Sequence, residues 1–185
     1  MSRLYRKFRN FLIRQKANEE FWVRKEFPRI DLYKELLVDE WKGKLLDLGC
    51  GNNYFSKACQ LKGVEAEGVD LDKCDFEVDK LPYEDRTFDL MTMHDVLEHL
   101  VNPENLFKEI NRCLKMRGLL IIRTHDWKSS YKTFFDDYTR KRPYTINSLR
   151  KIFMLFGMKI RRLELRGRSW PFKKKIILGI AQRMK

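Results

Sequence analysis

One stretch restricts the fold of this chain more than any other: Leu45-Leu46-Asp47-Leu48-Gly49-Cys50-Gly51-Asn52-Asn53-Tyr54-Phe55-Ser56, followed by Gly68-Val69-Asp70-Leu71-Asp72. An apolar run opens into a glycine-rich turn, a helical pattern begins, and a second short apolar run ends on the acid Asp70. Glycines let the backbone turn sharply and approach a ligand closely, a helix start offers unpaired N–H groups, and an acid at the tip of the next strand accepts ribose hydroxyls. This layout is a nucleotide-cofactor site on a parallel sheet.

Two details argue against a nicotinamide or flavin dinucleotide. The third glycine of the dinucleotide fingerprint is absent, with Tyr54 in its place, and Asp47 stands just before the turn. An acid there suits a cation better than a pyrophosphate. The order Asp47-x-Gly49-x-Gly51 resembles the first motif of the class I S-adenosylmethionine-dependent methyltransferases, whose cofactor carries a sulfonium and an ammonium group and no phosphate. Three later segments resemble the same family, in its small-molecule (type 11) branch: Leu81-Pro82-Tyr83-Glu84-Asp85-Arg86-Thr87-Phe88-Asp89-Leu90, then His94-Asp95-Val96-Leu97-Glu98-His99-Leu100, then Glu109-Ile110-Asn111-Arg112-Cys113-Leu114-Lys115-Met116-Arg117-Gly118. The resemblance implies a Rossmann-like α/β fold: a doubly wound, mostly parallel sheet of six to seven strands with helices on both faces.

At 185 residues the chain is one domain by size, and its net charge of +13 is unevenly spread. Residues 1–16 carry +6 and residues 150–185 carry +11, while the block between them is −4. A mildly acidic cofactor domain therefore sits between basic ends. Leu4, Phe8, Phe11 and Leu12 recur at helical spacing among cations, so residues 1–16 are expected to form a basic amphipathic helix, either a lid or a surface for anionic lipid or RNA. The domain proper spans 17–168. In 169–185, Phe172, Ile176, Ile177, Ile180 and Met184 at helical spacing among lysines predict a second basic amphipathic helix, where the family usually has an antiparallel seventh strand; that strand is expected to be missing. Cys50, Cys59, Cys74 and Cys113 form no C-x-x-C pair and read as buried free thiols of a reducing cytoplasm. No apolar run reaches the roughly 20 residues of a membrane span. The chain is expected in the cytoplasm, with its basic ends resting on the inner face of a membrane.

Strands are predicted at Lys44 to Leu48, Ala66 to Asp70, Asp75 to Val78, Phe88 to Met93, Leu119 to Thr124 and Met158 to Leu165. Helices are predicted at Phe21 to Val38 with a break at Pro28, at Phe55 to Lys62, from Asn102 to near Gly118, and from a Thr145 cap to Gly157.

The resemblance assigns Asp47 and the Gly49-Cys50-Gly51 turn to the methionine end of the cofactor, Asp70 to the ribose, Leu71 to the adenine face, and Glu77 or Asp79 to the adenine edge, with His94 beside the transferred methyl. A hydroxyl acceptor needs a base, and the candidates lie past strand ends: His125 and Asp126, then His94 and Asp95. Asp95, Glu98 and His99 have the i, i+3, i+4 spacing of ligands on one helical face, as in some quinone-precursor O-methyltransferases, but the segment is also the ordinary start of a family helix and no metal is expected. The loop Phe134-Phe135-Asp136-Asp137-Tyr138-Thr139-Arg140-Lys141-Arg142-Pro143-Tyr144-Thr145 resembles a segment of methyltransferases of surface-polysaccharide and glycolipid synthesis, with Arg140 where they have a histidine. Aromatic rings beside acids and arginines suit a sugar. The expected reaction is methyl transfer to a small molecule, a sugar or lipid-linked glycan. The alternatives are an RNA methyltransferase whose ends grip phosphates and a non-catalytic cofactor-binding subunit.

Overall fold

A computed structural model describes residues 19–37, 40–167 and 175–184. The amphipathic helix expected over 1–16 lies outside the described residues, as does 169–174. The elements are α1 (Glu19–Lys25), α2 (Phe27–Leu37), β1 (Lys44–Leu48), α3 (Tyr54–Leu61), β2 (Glu65–Val69), β3 (Phe88–His94), α4 (Glu104–Cys113), β4 (Leu114–His125), α5 (Trp127–Ser130), α6 (Ile146–Leu155), β5 (Met158–Gly167) and β6 (Lys175–Arg183). They form one six-stranded sheet in the order β2-β1-β3-β4-β6-β5. Neighbours from β2 through β4 are parallel, and β6 is antiparallel to both β4 and β5.

Adjacent residues on each strand point to opposite faces, and both faces are covered. Leu46, Met91, Leu120, Ile122 and Ile177 pack with Phe107 and Ile110 of α4 and Leu149 and Phe153 of α6. Leu45, Leu90, Leu119, Ile121 and Leu178 pack with Ile30 and Tyr33 of α2 and Phe55, Ala58 and Cys59 of α3. Burial on both sides is why these strands read as continuous apolar runs.

Two expectations about the sheet are corrected. The C-terminal segment is a strand and not a helix: Lys175–Arg183 runs between β4 and β5, with Ile177, Leu178, Ile180 and Ala181 buried. An interior strand apolar on both faces carries no period of two, so spacing alone could not tell it from a helix, whereas its β-branched isoleucines favour the strand. Gly179 sits where α6 presses closest, since a Cβ there would lie 2.9 Å from Phe153 Cε2. The antiparallel strand is thus present, and the expected strand near Asp75 to Val78 is the one replaced. There the acids capture the backbone that a strand would need: Asp79 Oδ2 accepts from the Asp75 N–H at 2.8 Å and Asp75 Oδ1 from the Glu77 N–H at 3.0 Å, folding the segment into turns.

The other boundaries follow local chemistry. Thr145 caps α6 in a reciprocal capping box with Ser148. The first helical stretch breaks at Glu26, leaving Pro28 inside the first turn of α2, where its missing N–H has no helical partner to lose. Among the described residues, no helix is long and apolar enough to cross a membrane.

Candidate active site

β1 is followed by β2 on one side and β3 on the other, so the connections diverge there and open a crevice at the carboxyl ends of the strands. A cavity of about 800 Å³ fills it, lined by the turn after β1, the end of β2, the ends of β3 and β4, the loop carrying Asp137 and Arg140, and Trp22, Glu26 and Arg29 from the two leading helices and the turn between them.

At the donor end the backbone shapes the site. Gly49 and Gly51 have φ of 74° and 55°, left-handed values that a Cβ would strain. At Gly49 a Cβ would also lie 2.2 Å from Val96 Cγ2, whereas at Gly51 the space is open. The turn closes on Asp70, whose carboxylate accepts from the Gly51 N–H and the Leu71 N–H, both at 2.7 Å. Asp47 is buried beneath the turn and accepts from Thr92 Oγ1 at 2.7 Å. Burial pushes its carboxyl up to about 7, although the Thr92 bond opposes the shift.

These features fit S-adenosylmethionine. Open space above Gly51 admits a ligand against the backbone, and Asp47, Asp70, Asp72, Asp75 and Glu77 lie along that end of the cavity, complementing a sulfonium and an ammonium. The ligand's carboxylate needs a cation, and Arg29 faces the same cavity, held by Glu26 at 2.9 Å. Tyr54, in the place of the third glycine, starts α3 and stacks 6.4 Å from Trp22.

Three of the residues singled out in the sequence take other roles. Asp79 lines no part of the cavity and instead holds the Asp75 turn. Glu77 does line it, accepting from the Val101 and Asn102 N–H groups at 2.9 and 3.2 Å, so of the two candidates for the adenine edge it is the one facing the site. Asp126 is buried and caps α5 through the Ser129 N–H at 3.0 Å, which removes it from the list of bases. His94 reaches the cavity but is wedged against the Phe55 ring at 4.6 Å, with the Tyr33 hydroxyl 2.9 Å from Nε2 and Asp47 3.6 Å from Nδ1. Burial, then Arg29 and Arg123, hold its pKa well below the ordinary value. A neutral imidazole so enclosed makes a poor base. Cys50 is only half-buried, its side chain packed where a Cβ on Gly68 would go; the other three cysteines are buried.

His125, by contrast, faces the cavity with a carboxylate on one ring nitrogen. Its Nδ1 lies 2.8 Å from Glu98 Oε1, and Glu98 is fully buried, its other oxygen accepting from Thr124 Oγ1 at 2.7 Å. Burial alone would raise the Glu98 carboxyl, but the hydrogen bonds from His125 and Thr124 hold it below the usual range. On the other side of the ring Arg140 Nη2 lies 3.3 Å from Nε2. A carboxylate only accepts and a guanidinium only donates, so the two partners fix the tautomer with the proton on Nδ1 and the lone pair on Nε2. Arg140, which stands where the related loop has a histidine, is thus tied into the site.

The Asp95, Glu98, His99 spacing does not become one helical face. Asp95 adopts φ 53° and a 3-10 turn follows at Leu97–His99, so His99 turns to Thr139 Oγ1 at 2.9 Å while His125 arrives from β4. Asp95, Glu98 and His125 each offer one ligand atom within 4.8 Å of the others, an arrangement that can hold a cation. Arg123 already pairs with Asp95 through both Nε and Nη2. Trp22, Glu26 and Arg29 also line the cavity and Tyr33 braces His94; their i, i+4, i+7, i+11 spacing is the signal they leave in the sequence.

Comparison with known proteins agrees. Residues 8–163 match a family described as a methyltransferase domain. Among curated proteins, an uncharacterized protein of Methanocaldococcus jannaschii is 28% identical over 113 residues, covering 54% of this chain and 53% of that protein. The ubiquinone biosynthesis O-methyltransferase of Chromobacterium violaceum is 27% identical over 101 residues, covering 44% of each. The chain thus spans about half the length of these curated relatives. Among solved structures, a SAM-dependent methyltransferase of Archaeoglobus fulgidus superposes with a TM-score of 0.62 at 20% identity, covering 94% of this chain and 99% of its own. Another, from Thermotoga maritima, gives 0.66 at 18% identity, covering 99% and 100%. The chain belongs to the class I S-adenosylmethionine-dependent methyltransferases.

Proposed function

We propose that the protein methylates a hydroxyl of a small-molecule acceptor, a sugar or lipid-linked glycan, with His125 as the general base. The observation that carries this reading is the buried Glu98 oriented on His125 Nδ1 in the same cavity as the Gly49–Gly51 turn. Bound S-adenosylmethionine supplies a methyl group on a cationic sulfur. The chain's own residues align the acceptor and take its proton. An acceptor hydroxyl that displaces Arg140 from Nε2 gives its proton to that nitrogen as the oxygen–methyl bond forms and the sulfur–methyl bond breaks; Glu98 stabilises the resulting imidazolium, and Arg140 remains beside the oxygen. Asp137 and Arg140 in the wall, with the rings of Trp22 and Tyr54, supply polar and apolar contacts of the kind a sugar ring takes. The curated O-methyltransferases bear names that specify an oxygen acceptor, in keeping with this choice.

The test is transfer of labelled methyl from S-adenosylmethionine to a panel of hydroxylated acceptors, sugar nucleotides and catechols included. His125→Ala is expected to lower turnover by about 10²–10⁴ with cofactor affinity unchanged. Equal turnover in that variant would remove His125 as the base. A second reading rests on the gathering of Asp95, Glu98 and His125, which could hold a divalent cation that polarises the hydroxyl. Dialysis against a chelator separates the two: activity persists under the first, and under the second is lost and restored by magnesium.

A further inference from the structure

We propose that the segment from Lys128 to Arg142 is a membrane-docking surface that sets the mouth of the acceptor cavity against an anionic bilayer. Tyr131, Phe135 and Tyr138 expose 55%, 56% and 67% of their surface. Single exposed apolar side chains are ordinary on any protein, but three rings so close in the chain are not. Lys128, Lys132, Lys141 and Arg142 flank them along the segment, all exposed. The segment holds five cations against the two acids Asp136 and Asp137.

The anchors stand on a firm base. Phe135 packs edgewise on Trp127 at 6.0 Å and on the buried Phe134 at 5.0 Å, while the Arg140 guanidinium lies 5.3 Å over the Phe134 ring. Tyr131 is one turn on from Trp127, with Lys132 Nζ 5.9 Å from its ring. Aromatic rings favour the headgroup layer, where the ring is apolar and a hydroxyl tip stays wet, and lysine stems reach along them so that the ammonium meets lipid phosphate.

A surface for single-stranded RNA would instead offer open ring faces along a row of cations. Here Phe135 is engaged by two aromatic neighbours and acids interrupt the row. Asp137 and Arg140, in the same segment, line the cavity, so docking through these rings turns the mouth toward the lipid. The inference does not depend on which hydroxyl is methylated or on His125 as the base.

The full chain is sedimented with vesicles of phosphatidylcholine containing phosphatidylglycerol, and with phosphatidylcholine alone. Binding is expected to the anionic vesicles and to weaken by on the order of tenfold or more in the double variant Lys128→Glu/Lys132→Glu and in the triple variant Tyr131→Ser/Phe135→Ser/Tyr138→Ser, each retaining its affinity for S-adenosylhomocysteine. Independently, the emission gained in Phe135→Trp is expected to be quenched by brominated lipid. Variants that sediment like the parent with that emission unquenched would assign any binding to the basic chain ends and overturn the proposal. Retention of polyuridylate with no vesicle binding would overturn it in favour of RNA.

Discussion

The two ends of the cavity face the same space but are made of different materials. At the donor end, a turn of two left-handed glycines and the N–H groups that Asp70 gathers fix the shape, and most of the residues come from two adjacent strands. At the proposed acceptor end, Glu98, His125 and Arg140 come from the turn after β3, the tip of β4 and a loop beyond α5; their functional groups meet as side chains, while the Lys141 and Arg142 N–H groups tie that loop to the Glu98 carbonyl. Backbone conformation leaves a spaced signature in a sequence, whereas a meeting of side chains from distant segments leaves none. The same contrast predicts which substitutions affect chemistry and which affect cofactor binding.

The acceptor end should break as one unit. Glu98→Gln is expected to lower turnover by about 10–100-fold without changing cofactor affinity, because the amide no longer stabilises a protonated His125. In that background, His125→Ala should cost less than it does alone, since residues acting together are not additive. Turnover and calorimetric cofactor affinity measured across the four proteins check this. Independent, multiplicative losses would mean that the dyad is not functional.

The donor end should instead show itself as a pH dependence of binding. Asp47, pushed up to about 7 by burial, is mostly protonated at pH 6 and mostly ionised at pH 8. A cationic ligand favours the ionised form, so S-adenosylmethionine affinity should rise about tenfold over that interval, and the rise should vanish in Asp47→Asn. Calorimetry at the two pH values decides it; a flat profile in the parent would show that the cofactor's charge is not felt at Asp47.

Smallest in effect, and outside both ends, is Gly179→Ala. The added methyl would meet Phe153 and should cost about 1–3 kcal/mol of stability, with cofactor affinity in the folded protein unchanged, as denaturant unfolding would show.

What could be read from the sequence divides along the same line. Asp47, Gly49, Gly51 and Asp70 stand in the cavity as their spacing implied, because each serves a turn or strand end whose conformation dictates the residue type. Asp126 and Asp79 looked equally placed by position, yet their carboxylates are spent on local N–H groups, a choice that depends on short-range geometry. His125 was legible as a strand-end histidine, but its partner was not: Glu98 sits 27 residues away in a segment that reads as the start of a helix. β6 was misread because burial on both faces erases the period that would identify it.

On this reading the cavity receives S-adenosylmethionine at the Gly49–Gly51 turn and Asp70, and chemistry occurs at the other end. Calorimetric titration of S-adenosylmethionine into the parent, His125→Ala and Asp70→Ala tests it most directly. Equal affinity in the first two with binding abolished or weakened at least about 100-fold in Asp70→Ala is the predicted result, the loss corresponding to about 2.7 kcal/mol for a charged hydrogen-bonding group. Undiminished binding in Asp70→Ala, or no binding to the parent at all, would contradict it.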